Sequence, residues 1–238
     1  SIVISGGYQR TSIFNTQYFS DVWQSADKGE TWTMTSSDAG WTARSGHSSV
    51  VLADGTILIM GGFDGTVYCN DVWKSVNRGE TWTEVTDDSG WAGRSGHTVL
   101  LMPDGSILLM GGHSDNYLYH NDVWMSADNG ETWSQVNSDA EWSARSGHSS
   151  LLLPDGNIML MGGVLWEDWE TVYSKNDIWV SADQGETWNI VTEDAEWEPR
   201  SDHTSIIMPD GTIMLMGGAF MESYTTGNDV WRSSDNGS

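Results

Sequence analysis

Only one cysteine, Cys69, occurs in the 238 residues, so no disulfide can form within the chain, and the redox compartment is neither required nor excluded. Cations are scarce as well: ten Lys and Arg, of which three are lysines (Lys28, Lys74 and Lys175), stand against 34 Asp and Glu, a formal charge of −24. A field of that sign repels nucleic acid and anionic membrane surfaces. It favours cations, a basic partner, or solubility in a salty extracellular medium. No run approaches 18 apolar residues, so no membrane insertion is expected. No stretch sustains a 3.6-residue apolar period, which leaves little room for helix. A signal peptide is also missing from the start. The chain opens inside an apolar strand, Ser1-Ile2-Val3-Ile4-Ser5, and any targeting segment would lie upstream.

What is present is repetition. Asp-Val-Trp or its Ile variant recurs at Asp21–Trp23, Asp71–Trp73, Asp122–Trp124, Asp177–Trp179 and Asp229–Trp231. A Gly-Gly pair precedes each, from Gly6-Gly7 to Gly217-Gly218. Between successive copies lie a Ser-x-Asp-x-Gly-x-Thr-Trp box, a lone Trp, an Arg-Ser-Gly-His (Arg-Ser-Asp-His at the last) and an Asp-Gly turn. A period of about fifty residues is the mark of a solenoid or propeller array. The frame runs from end to end without a linker, so residues 1–238 read as one domain of modules near 1–43, 44–93, 94–144, 145–199 and 200–238.

The second module predicts four strands: His47–Leu52, Thr56–Met60, Asp71–Ser75 and Thr81–Val85, joined through Asp54-Gly55, a polar loop and Val76–Gly79. A lone meander of this size cannot bury both faces, whereas radial stacking of such sheets can. The fold class is therefore all-β, a β-propeller of four-stranded antiparallel blades. Its two inner strands carry near-continuous apolar runs, and its registered tryptophans pack between blades. The first module lacks its innermost strand and the last its outermost. The ends then imply a five-bladed ring with two incomplete blades, an arc of a larger ring, or completion by neighbouring chains through exposed edges.

Two family signatures overlap on these motifs. The Gly-Gly, the later Trp and the Arg-x-Gly-His resemble kelch repeats, including those of the central domain of galactose oxidase. The boxes Ser25–Trp32, Ser126–Trp133 and Ser181–Trp188 resemble the Asp-box of sialidase-like propellers. The resemblance implies a structural hairpin for Asp27, Asp128, Asp183 and Asp235, with Asn77 in the second copy. It leaves function open, because propellers host enzymes, lectins and protein scaffolds alike.

Candidate site residues fall in two groups. His47, His97, His148 and His203 share a repeat position, where a structural hydrogen bond explains them better than metal ligation. The second group lies on the face carrying the loops between second and third strands, which differ from module to module. There Trp166, Glu167, Asp168 and Trp169 suit stacking on a sugar or docking on a protein. Tyr117, Tyr119 and His120 lie in the loop before them, and with His113 and the Tyr68-Cys69 pair form the one local hint of a metal site. Arg44, Arg94, Arg145 and Arg200 lie on the linkers of the same face, although their obedience to the repeat points to packing or to pairing with the acidic linker. No catalytic constellation stands out and no cofactor is required, with calcium in the acidic turns left open. The expected function is a non-enzymatic binding or assembly module, extracellular or at the cell surface, presenting its loops to protein or glycan. The alternatives are a sialidase-like hydrolase or galactose-oxidase-like oxidase, and a subunit of an extracellular filament.

Overall fold

The computed structural model describes residues 1–12, 15–168 and 170–234. The predicted all-β character holds. Among the described residues five antiparallel sheets follow the five modules, with three, four, four, four and three strands, and two short two-stranded ladders lie in the loops. The second sheet consists of Ser48–Val51, Ile57–Met60, Val72–Ser75 and Thr83–Thr86, hydrogen-bonded in that order. The only helical element among the described residues is a 3-10 turn at Asp115–Tyr117. Among the described residues no helix is long and apolar enough to cross a membrane.

The chain divides into two compact units, Ser1–Ser95 with Ser126–Trp133, and Gly96–Met125 with Ser134–Ser238. In the first, Val22, Ala39, Trp41, Ile57, Ile59 and Trp82 form one core. In the second, alternation along Ile158–Trp166 serves two cores at once: Ile158 and Leu160 face the third module's Leu108 and Met110, while Met159 and Met161 face Ile213 and Leu215 of the fifth. The second strands of the second, third and fourth modules are thus buried along their apolar runs, as those runs predict, whereas Ile2 and Ile4 of the first module are 44% and 51% exposed. First strands differ: Leu152 and Leu151 pack against the two cores of the second unit, whereas Ser48–Val51 and Thr204–Ile207 alternate between more and less exposed residues.

Turn chemistry sets the register. Gly55 takes φ +88°, and Asp54 accepts the Thr56 N–H through its carboxylate at 2.9 Å, closing the first hairpin of its sheet. The Ser-x-Asp boxes close the outer hairpin. In the first, the Asp27 carboxylate accepts the Thr31 N–H at 2.9 Å and the Ser25 hydroxyl at 2.7 Å, while Trp32 donates to the Gly29 carbonyl. Asn77 repeats this geometry with its neutral amide oxygen, accepting from the Thr81 N–H and the Ser75 hydroxyl, each at 3.0 Å. Asp235 lies outside the described residues.

Blades are joined where the Gly-Gly pair splits the second and third strands. In the fourth sheet the ladder shifts register between Met161 and Gly163. The backbone of Arg200 enters that gap, its N–H donating to the Lys175 carbonyl at 3.0 Å and its carbonyl accepting the Gly163 N–H at 2.9 Å. Arg44, Arg94 and Arg145 do the same to the sheets before them, through Phe19 and Gly7, Cys69 and Gly62, and His120 and Gly112. Side chains then bind forward, into the arginine's own module. Arg145, fully buried, donates to the Gly162 carbonyl and to both oxygens of Asp177, which also accepts the indole N–H of Trp179. Arg44 and Asp71 pair identically, as do Arg200 and Asp229.

Removing one partner of a buried, bidentate pair leaves the other charge uncompensated, at a cost of about 3–5 kcal/mol. Arg145→Ala is expected to destabilise the protein by about that amount in urea unfolding. Arg200→Ala should cost less, because the Asp229 side chain is 40% exposed where that of Asp177 is 13%. Equal midpoints for the two variants and the parent would show that the pairs do not hold the blades.

Candidate functional site

Residues that recur in every module turn inward. Arg44, Arg94, Arg145 and Arg200 are all buried, with Arg94 donating to the Ala92 carbonyl at 3.0 Å beside the pairs described above. Their place on the loop face is therefore corrected: linker positions put their backbones there, but the guanidiniums point into the blades. Nor is the acidic linker the carboxylate they use, for the partners of Arg44, Arg145 and Arg200 belong to the Asp-Val-Trp motif. The linker carboxylates Asp88, Asp139 and Asp194 accept instead from Asn70, Asn121 and Asn176, ahead of each third strand. The net effect on Asp177 is to hold its carboxyl below the ordinary range: burial raises it, but the Arg145 hydrogen bonds and charge prevail.

The histidines stand against the lone tryptophans, with ring centroids 5.9 Å apart for Trp41 and His47 and 6.0 Å for Trp142 and His148 and for Trp197 and His203. His148 Nε2 lies 2.9 Å from the Thr98 hydroxyl, and His47 Nε2 lies 3.3 Å from that of Ser5. Gly-Gly leaves room for them. A Cβ at Gly162 would lie 2.8 Å from the His203 ring, and one at Gly163 would lie 2.9 Å from the His148 Cβ. Burial, with the charge of the neighbouring arginine, pulls the imidazoles down to about 4 for His47, about 3 for His148 and about 4 for His203, so all three are neutral at pH 7. Among the described residues no group of three or more His, Cys, Asp or Glu side chains gathers to hold a metal ion.

The variable loops carry the exposed tyrosines Tyr8, Tyr117, Tyr173 and Tyr224. In the fourth module the second and third strands extend past the frame as a hairpin, pairing Leu165 with Tyr173 and Trp166 with Val172. Asp168 makes its tip, accepting the N–H groups of Glu170 and Thr171 at 2.9 and 2.7 Å. Tyr173 stands on the outside, 46% exposed, its hydroxyl donating to Glu167 at 3.3 Å; the Glu167 charge raises the phenol above its ordinary range. Trp166 is half-buried, and Trp169 lies outside the described residues. Glu222 of the fifth loop accepts the Ser174 N–H at 2.6 Å and so ties these two loops together. Beyond it Tyr224 is 76% exposed.

The third loop divides its predicted residues. Tyr119 stacks on His113 with centroids 5.5 Å apart, and His120 lies 3.1 Å from the Ser114 hydroxyl, so all three are engaged within their own loop. Tyr117, at φ 57°, is exposed. Cys69 is half-buried and burial pushes its thiol up to about 11, which keeps it protonated and unreactive. Its neighbour Tyr68 packs on Phe63 at 4.6 Å.

That contact belongs to a group the sequence reading passed over. Tyr8, Tyr18, Phe63 and Tyr68 run ring to ring at 6.3, 6.0 and 4.6 Å across the loops of the first two modules, with Tyr8 at 61% exposure. The signal was available: each lies inside a loop of variable sequence, outside the repeat frame.

The family model described as the KLHDC2/KLHL20/DRC7 Kelch-repeats domain matches residues 1–218. No curated protein matches the chain. Among solved structures, one entitled "Structure of YjhT" is similar with a TM-score of 0.78, covering 98% of this chain and 79% of that one at 16% identity. At that identity the likeness is one of fold, and it makes the five sheets blades of a β-propeller.

The histidines give a pH signature. An unfolded imidazole titrates near 6.5, whereas His47, His148 and His203 stay neutral in the fold down to about 4, 3 and 4. Below pH 6.5 the unfolded chain therefore binds protons that the native state refuses, and stability falls as pH drops, by up to about 1.4 kcal/mol per unit for each histidine. Urea midpoints should decline between pH 6.5 and pH 4, and His148→Gln should flatten the slope. A flat parent profile over that range would place the imidazoles in contact with water.

Proposed function

Since the chain belongs to the KLHDC2/KLHL20/DRC7 kelch-repeat family, we propose that it is a non-enzymatic binding module that docks another protein on its inter-strand loops. One observation carries this reading: repeated polar residues are engaged inside the blades, while an exposed tyrosine, at positions 8, 117, 173 and 224, stands in the loop of each of four modules. Tyrosine offers a large, stiff, amphipathic contact at low entropic cost, as protein-binding surfaces require. The loops of the second unit add Asp115, Glu167, Asp168, Glu170 and Glu222, with Lys175 as the one Lys or Arg among them. The partner chemistry that matches is a segment rich in Lys and Arg, drawn in by the charge of −24.

The boxes that resemble Asp-boxes fit this reading as hairpin closures. Hydrogen bonds from Thr31 pull the Asp27 carboxyl down to about 2, and Asn77 serves at the same position without a charge. Calcium is not needed to explain such a turn. A hydrolase or oxidase would draw on the arginines or on Cys69, whose guanidiniums are buried and whose thiol is protonated.

Titration with a short Lys/Arg-rich peptide tests the proposal by calorimetry. Saturable binding is expected, weakening with salt and falling about tenfold in the double variant Tyr173→Ala, Tyr224→Ala. If that variant binds as the parent does, the attraction is diffuse charge and the loop site is wrong. Binding of a neutral oligosaccharide in place of the peptide would move the reading to a glycan.

A further inference from the structure

Among the described residues eight side chains other than glycine stand on a backbone of positive φ. The repeat frame accounts for five of them. Lys28, Arg78, Asn129 and Gln184 share one position in the boxes, and Asp202 stands where Gly46, Gly96 and Gly147 stand in other modules. Asn116 is of a type that tolerates the left-handed region. Tyr117 and Tyr224 remain, at φ 57° and 53°, and for a bulky side chain that backbone is strained.

The two tyrosines share a position, each as the last residue of a hairpin loop in the second unit. His113–Ser114 pairs with Leu118–Tyr119, and Ala219–Phe220 pairs with Thr225–Thr226, so Tyr117 and Tyr224 each stand directly before the returning strand. Turn chemistry favours glycine at a left-handed closure, and the loop of the second module does turn on Gly65, at φ 97°. Packing does not offset the strain at Tyr117, whose side chain is 52% exposed. Both loops also carry a carboxylate two residues ahead of the tyrosine, Asp115 and Glu222. Asp115 is exposed, and one oxygen of Glu222 accepts the Ser174 N–H. A carboxylate, a polar residue and a tyrosine are thus written at the tips of two loops that otherwise differ in sequence.

We propose that Asp115 and Tyr117 form a seat for an arginine side chain of the partner, with Glu222 and Tyr224 as a second copy; this rests on the docking of a basic segment proposed above. A guanidinium is planar and weakly hydrated, so it stacks on a phenol ring while donating to a carboxylate. An ammonium is compact and strongly hydrated, and gains less from the ring. The left-handed closure fixes the backbone beneath the ring, so little freedom is lost when arginine docks. Strain at the loop tip is the stability cost of that preset geometry.

The probes are two peptides of equal length and charge, one alternating Arg with Ser and the other Lys with Ser, titrated by calorimetry into the 238-residue protein and its variants. The parent is expected to bind the arginine peptide about threefold more tightly than the lysine peptide. Tyr117→Gly should lessen that preference and raise the urea midpoint, because relief of left-handed strain exceeds the backbone freedom that glycine adds to the unfolded chain. Asp115→Asn should weaken both peptides alike, about twofold, and leave the preference in place. Equal binding of the two peptides, unmoved by Tyr117→Gly, would overturn the arginine seat and leave the docking of a basic segment standing. Saturable binding of neither peptide would overturn both. A lower urea midpoint for Tyr117→Gly would make the ring a packing residue of the fold, and the seat would be wrong.

Discussion

The blades are held in succession by a buried guanidinium whose backbone and side chain belong to different sheets. A glycine pair makes this possible. At Gly61-Gly62 or Gly162-Gly163 positive φ values let two strands part, and the next module's arginine enters with both of its peptide groups satisfied. A buried charge of this kind is tolerated only when its donors find acceptors, and the Asp-Val-Trp carboxylate with the first glycine's carbonyl supplies them. The indole N–H then fixes the carboxylate in turn. Glycine, arginine, aspartate and tryptophan, as from Gly162 to Trp231, thus form one joint, which explains why they recur as a set.

The same joint sets limits on where a ligand can act. Arginine, histidine and the registered tryptophans are the residues most often sought in a propeller site, and here they are engaged in holding the structure. Chemistry is left to the segments that escape the frame. Those segments have few apolar anchors but repeatedly carry a tyrosine, and their carboxylates are largely engaged in stiffening their own turns. Tyr8, Tyr117, Tyr173 and Tyr224 are the exposed aromatic side chains of those segments.

The module frame was legible because turn residues and apolar runs are local signals. Asp54-Gly55 followed by Ile57–Met60 specifies a hairpin and a doubly covered strand without reference to anything distant. The pairing of Arg44 with Asp71 was not legible, since a carboxylate 27 residues away cannot be singled out among 34 by spacing alone. Proximity favoured the linker acids, and those turned out to hold asparagine side chains. Burial within a first strand was not legible either: Val50-Val51 reads as buried on composition, but Val51 is 58% exposed. In the loops, Trp166 and Glu167 drew notice as departures from the repeat. The row from Tyr8 to Tyr68 did not, although each ring lies outside the repeat frame; only its central contact, Tyr18 on Phe63, needs two modules side by side.

The box glycines extend this dependence of each module on the next. Gly79 lies against Val22, Gly130 against Val72 and Gly185 against Val123, each so close that a Cβ would come within 2.8 to 3.0 Å of the valine methyl. Val22, Val72 and Val123 are fully buried. Cohesion in such an array is a sum of nearest-neighbour terms, as in a one-dimensional lattice. A side chain placed at one of these glycines would therefore loosen two modules at once. Stability in this molecule is a property of intervals between blades more than of the blades themselves.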